Sequence, residues 1–134
     1  MTNKETVNTI FPLGDLIDND NFSGKAWLSM LNEDEQYHCP IGNVTFEPRC
    51  RNRWHIHPGG QILLVTSGKG WYQEEGKNAQ IIQEGDTIKI PPNVKHWHGA
   101  CKESYLSHLA ITTNAEQGIV EWLEMLDEDA YDAL

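Results

Sequence analysis

Five of the six histidines in this sequence fall in a pattern: His55-Ile56-His57, His96-Trp97-His98, and His108. In an extended strand, residues i and i+2 project to the same face, so each His-x-His unit sets two imidazoles side by side. By the same alternation His108 shares a face with Leu106, Ala110 and Thr112. A lone histidine is usually a partnered or exposed side chain. Two pairs on separate strands, met by a fifth, would instead crowd an apolar interior with ring nitrogens that need partners. A metal ion is such a partner. Neutral imidazole suits zinc, iron, copper and nickel, and manganese where oxygen ligands join it. The pattern therefore predicts a divalent-metal site.

The elements that must carry these residues are short. Val44-Thr45-Phe46-Glu47 alternates and stops at Pro48; Gln61-Ile62-Leu63-Leu64-Val65-Thr66 stops at Ser67-Gly68. Trp71-Tyr72-Gln73, Ile81-Ile82, Thr87-Ile88-Lys89-Ile90 and the stretch from Tyr105 to Thr112 follow, separated by Gly-, Asn- and Pro-containing turns. Such spacing predicts an all-β sandwich or barrel, with prolines at strand ends where a missing N–H does little harm. Ahead of it, residues 1–24 read as a polar arm that packs by the cluster Ile10-Phe11-Pro12-Leu13 alone. Behind it, Ile119, Trp122, Leu123, Leu126 and Ala130 recur at helical steps, which predicts one amphipathic helix within residues 114–134. The barrel itself is expected over residues 25–113.

Arg51 and Arg53 share the alternation of His55 and could aim positive charge inward, although Arg53 is expected beyond the barrel mouth, paired with surface carboxylates. Trp54, Trp71 and Trp97 could wall a pocket or belong to the core. Cys39, Cys50 and Cys101 form no C-x-x-C pair and are read as packed or surface thiols, which suits a reducing cytoplasm.

The whole chain has 134 residues, enough for one domain and one core. Twenty acidic residues against 10 basic ones give a formal net charge of −10, a surface that repels phosphate backbones and anionic lipid. No apolar run approaches the roughly 18 residues of a membrane span. No basic patch followed by an apolar core opens the chain. A cytoplasmic domain with a small-molecule substrate, and no nucleic-acid or membrane partner, is the expectation. An exposed apolar arm and an amphipathic C-terminal segment on so small a barrel predict a homodimer.

The motif spacing resembles the cupins. His55-Ile56-His57, three residues, Gln61, six residues, Gly68 is similar to their first motif; Gly85, five residues, Pro91-Pro92-Asn93, two residues, His96 is similar to their second. Four positions depart: the usual Glu is Gln61, the PxG glycine is Asn93, the closing Asn is Ala100, and the glycine before the first histidine is Arg49. Thr45-Phe46-Glu47-Pro48, Trp54-His55-Ile56-His57-Pro58 and Lys95-His96-Trp97-His98-Gly99-Ala100 resemble more closely the small bacterial cupins related to (R)-selective hydroxynitrile lyases. Their relatives are often associated with carboxymuconolactone decarboxylases, and glutamine is the usual fourth ligand there.

The resemblance implies an all-β cupin fold, a double-stranded β-helix or jelly-roll barrel, with a C-terminal helix. It implies metal ligation by His55, His57, Gln61 and His96. The ion is one divalent transition metal per chain, manganese by preference, with iron, zinc, nickel or cobalt as the other candidates. His98 and His108 are implied to line the active site and to move protons, at pKa values near the ordinary 6.5. Arg51, Val44, Phe46, Trp97 and Thr112 are the candidate wall of a substrate pocket. Three imidazoles and an amide leave the ion its full charge of about +2, a strong Lewis acid with two open octahedral positions. The expected activity is that of a metal-dependent lyase of the hydroxynitrile lyase type. A dioxygenase or decarboxylase, or a non-catalytic ligand-binding cupin, is the alternative.

Overall fold

The apolar run from Gln61 continues well past Gly68 and forms a 14-residue strand, β7 (Gln61–Glu74). Its odd-numbered residues, Gln61, Leu63, Val65 and Ser67, are buried in alternation with half-buried ones, the signature of a strand with one face inward. At Gly68 the strand turns through φ +80°, and a Cβ there would lie 2.0 Å from the Tyr105 carbonyl oxygen. Only glycine fits that position, which is why the first motif ends on one. A computed structural model describes residue 7 and residues 9–134 of the protein.

The bend lets β7 serve two sheets. Before it, β7 pairs with β9 (Thr87–Ile90) and β11 (Leu106–Thr112); after it, with β8 (Gln80–Gln83) and β10 (His96–Ala100). Beyond β11 lie β4 (Ile41–Phe46), β3 (Ala26–Asn32) and β1 (Asp15–Leu16) in turn. Beyond β10 lie β5 (Arg51–Asn52) and β2 (Phe22–Ser23), with β6 (His55–Ile56) also against β10 and β12 (Glu121–Trp122) against β6. Every pairing is antiparallel. The two sheets curl over a core that includes Phe46, Leu63, Ile82 and Leu106, each no more than 1% exposed. A bulge between Ser107 and His108 shifts β11 against β7, so that Ser107 faces Ser67 while His108 faces Val65. A bulge of this kind re-aims the side chain that follows it.

Turn chemistry agrees with the motifs even where residue types depart. Asn93 and Arg49, which stand where cupins carry glycine, both take left-handed backbone, at φ 63° and 73°. Asparagine tolerates that region well; arginine does so at a steric cost.

The flanks differ from expectation. Residues of the N-terminal arm do more than pack by an apolar cluster: β1 and β2 add to the edges of the two sheets, and Ile10 is 82% exposed. A C-terminal helix is present as α1 (Glu128–Asp132), far shorter than the periodicity predicted. Glu121–Trp122 is strand, and the Leu123 N–H donates to the Trp54 carbonyl. Of the apolar residues at three- and four-residue steps only Leu126 is buried; Trp122 and Leu123 are half-buried and Ile119 and Ala130 exposed, so no single helical face exists. Tyr131 anchors α1 behind β10, with its hydroxyl donating to the Ala100 carbonyl at 2.6 Å. Among the described residues no helix is long and apolar enough to cross a membrane.

Candidate metal centre and pocket

β6, the start of β7 and the start of β10 bring His55, His57, Gln61 and His96 together. The His55 and His96 rings lie 4.2 Å apart between centroids, His55 and His57 5.1 Å, and His57 and His96 5.5 Å. In each of the three, Nδ1 lies against a backbone carbonyl: that of Arg53 at 2.7 Å for His55, Ile119 at 2.7 Å for His57, and Val94 at 2.9 Å for His96. A carbonyl only accepts, so each Nδ1 carries the proton and each Nε2 keeps its lone pair. His57 Nε2, His96 Nε2 and Gln61 Oε1 are buried with no partner at hydrogen-bond geometry among the described residues. Gln61 Nε2 donates to Thr112 Oγ1 at 3.2 Å, which frees the oxygen end of the amide.

Buried lone pairs left unmatched on three converging side chains are costly unless something electropositive meets them. Outer hydrogen bonds that fix ring orientation are the usual support of metal-bound histidines. The donor set therefore fits a divalent transition metal, which His55, His57, His96 and Gln61 would hold. Burial also keeps the rings neutral. It lowers His57 and takes His96 down to about 4; in His55 burial, with His96 beside it, holds the imidazole well below its ordinary value.

His98 competes for membership on distance alone, since ligand atoms of His55, His96 and His98 all lie within 4.8 Å of one another. Hydrogen bonding separates it from the others. Its Nε2 meets Asn52 Nδ2 at 3.2 Å and its Nδ1 meets His108 Nε2 at 3.3 Å. Both nitrogens are already matched, so His98 belongs with His108 rather than with the ligand set. Neither has the ordinary pKa expected for it. Burial, then the neighbouring imidazoles, hold His98 well below 6.5, and burial takes His108 down to about 4.

A cavity of about 280 Å³ opens beside these groups, lined by His55, His57, Gln61, His98 and His108. Its remaining wall is largely apolar, from Phe22, Leu28, Val44, Phe46, Ile119 and Trp122, and among the described residues no charged side chain lines it. Val44, Phe46 and Thr112 stand where they were expected. Arg51 and Trp97 do not. Arg51 lies on the far side of the sheet with its guanidinium 4.3 Å from the Tyr131 ring centroid. Trp97 is fully buried against Leu126 and Tyr131, because it alternates with His96 and His98 on β10 and must face away from them. Trp71 packs on that same outer cluster, as does Trp54, which Lys95 also covers at 5.5 Å. Arg53 caps the backbone carbonyls of Asp20 and Leu123, not surface carboxylates. Cys39, Cys50 and Cys101 are free thiols, as expected.

Three contributors escaped the sequence reading. Asn52 holds His98; the Ile119 carbonyl holds His57; and Trp122 lies 4.7 Å from the His55 ring and closes the pocket. The only sequence signal for the last two was apolar character in a segment read as helix.

Two curled antiparallel sheets around a histidine cluster define a metal-type β-barrel of the cupin class. A cupin-domain family model matches residues 42–112, and the chain belongs to that family. It is similar to an (R)-mandelonitrile lyase of Granulicella tundricola, at 44% identity over 89 residues, 66% of this chain and 68% of that protein. A solved cupin-like protein from Thermotoga maritima superposes with TM-score 0.90 at 46% identity, over 94% of this chain and 96% of the other. A polyketide cyclase from Streptomyces resistomycificus shares the fold, with TM-score 0.70 at 14% identity, over 94% of this chain and 92% of its own.

Proposed function

We propose that the protein is a metal-dependent lyase that cleaves, and in reverse forms, a small neutral α-hydroxynitrile. The observation that carries this reading is the pairing of an all-neutral donor set with a pocket that no charged side chain lines among the described residues. The similarity to a protein named (R)-mandelonitrile lyase supports it. One divalent transition metal per chain is proposed, manganese by preference over iron, zinc, nickel or cobalt. Bound there, it supplies a Lewis acid for the substrate's hydroxyl oxygen.

The chain's own residues do the rest. Phe22, Val44, Phe46 and Trp122 bury the apolar part of the substrate and exclude water. The bond between the carbinol and nitrile carbons breaks, its electron pair leaves as cyanide, and the O–H pair becomes the carbonyl π bond. The hydroxyl proton passes to the His98–His108 pair, where one existing hydrogen bond opens to free a ring nitrogen, and returns to cyanide, so that both rings end as they began. Imidazoles held well below their usual pKa keep a proton weakly and pass it on readily. A carboxylate substrate, which decarboxylation needs, would meet no cationic side chain in this pocket.

Release of benzaldehyde and cyanide from mandelonitrile by the manganese-loaded protein tests the reading. Cleavage above the background rate supports it, and none with any of the five metals would refute it. A homodimer is also proposed: Met30 and Leu31 are over a third exposed at the outer edge of β3, past the two residues that β1 covers. A free apolar edge favours pairing. Light scattering that finds only the 15.3 kDa chain would contradict a dimer.

A further inference from the structure

Asn52 is 3% exposed, and its amide spans the His98 residue from backbone to ring. Its Oδ1 accepts the His98 backbone N–H at 3.0 Å, and its Nδ2 faces His98 Nε2 at 3.2 Å. A backbone N–H only donates, so the amide can stand one way round: oxygen to the N–H, nitrogen to the ring. The amide nitrogen only donates in its turn, so His98 Nε2 must offer its lone pair. A neutral His98 then carries its proton on Nδ1 and donates it to His108 Nε2, 3.3 Å away. His108, with Nε2 accepting, is left with its proton on Nδ1, an atom with no side-chain or backbone partner at hydrogen-bond geometry among the described residues. One amide thus determines the direction of the whole chain.

We propose that Asn52 is a positioning residue: it fixes His98 as the Nδ1–H tautomer aimed at His108, and by occupying His98 Nε2 it keeps that ring out of the metal-ligand set. Without it, His98 has the reach of a ligand, since its ligand atom lies within 4.8 Å of those of His55 and His96. Only this exclusion rests on the proposed metal centre; the tautomer is set with or without metal. An acceptor in the same place, Asn52→Asp, keeps the bond to the His98 backbone N–H but demands a proton on Nε2, which reverses the chain.

Nitrogen-15 NMR of histidine-labelled, metal-free protein reads this directly. The wild type should show His98 with a pyridine-type Nε2 and a pyrrole-type Nδ1, and His108 with a pyridine-type Nε2. The opposite assignment in His98 would overturn the proposal without any variant. In Asn52→Asp the His98 Nε2 should become pyrrole-type; an unchanged spectrum would overturn it equally. The cobalt(II)-loaded Asn52→Leu protein should show visible bands shifted from the wild type as His98 joins the metal. Identical bands would refute the exclusion, and so would failure of the wild type to bind cobalt, which would sink the metal reading while the NMR still decides the tautomer.

Discussion

The barrel holds two sets of histidines that look alike in sequence and differ in what surrounds them. His55, His57 and His96 each spend one nitrogen on a backbone carbonyl and leave the other free. His98 spends both of its nitrogens, on Asn52 and on His108, and His108 spends its Nε2 on His98. Both sets are buried and neutral, so burial alone does not assign a role. The difference lies in what each ring touches: backbone anchoring leaves a convergent lone pair that a metal would meet, whereas His98 and His108 are tied to each other and to Asn52. Two rings on one strand, two residues apart, thereby acquire separate chemistry.

The largest effect should come from emptying the first set. Loss of a Lewis acid worth several kcal/mol corresponds to roughly 10³-fold or more in rate. His55→Ala and His96→Ala should therefore abolish mandelonitrile cleavage, and added metal should not restore it; activity within tenfold of wild type would erase the distinction. Next come His98→Gln and His108→Gln. These should retain metal and fold yet lose about 10²–10⁴ in kcat, the range for a general acid or base. Full activity in both would make the pair a mere lining.

Much of this architecture was legible beforehand because it depends on steric requirements that few residue types satisfy. Gly68 marks the bend in β7, and Gly99, where a Cβ would meet the Arg51 Cα at 2.5 Å, marks the close approach of β10 and β5. Asn93 keeps the turn that glycine usually makes. Alternation also placed His96 and His98 on one face. What failed was alternation extended across a break: residues 53 and 54 separate β5 from β6, so the parity that linked Arg51 to His55 does not survive, and Asn52 faces inward instead. Helical spacing failed after Ile119 for a related reason. In a short segment apolar residues can fall at helical steps without sharing a buried face, as Leu126 is buried while Ile119 is exposed. Asn52 carried no signal at all, because its role depends on a ring contributed 46 positions later.

A smaller effect, shared by both sets, belongs to the metal-free protein, and His108 shows it. Above about pH 6.5, His108 is neutral both folded and unfolded, and contributes no pH dependence. As pH falls below that, the unfolded chain takes up the proton while folded His108 waits until about 4. Stability should thus decline through this window and level off beneath it, by about 3 kcal/mol at most from this group. Urea titrations between pH 7 and 4 should show a shallower decline in His108→Gln; an equal slope would mean that His108 is not held neutral by burial. The smallest effect lies outside the cavity. Tyr131→Phe strands the Ala100 carbonyl behind β10 and should cost about 1–3 kcal/mol of stability. Metal content should not change, because the outer face of β10 carries no ligand; loss of metal in this variant would show that the two faces are not independent.

Metal content itself is the most direct test of the division. Wild type, His57→Ala and His98→Gln, all purified without chelator and analysed for elements, should give close to one transition-metal ion per chain in the first and third and almost none in the second. Metal lost from His98→Gln, or kept by His57→Ala, would contradict the account.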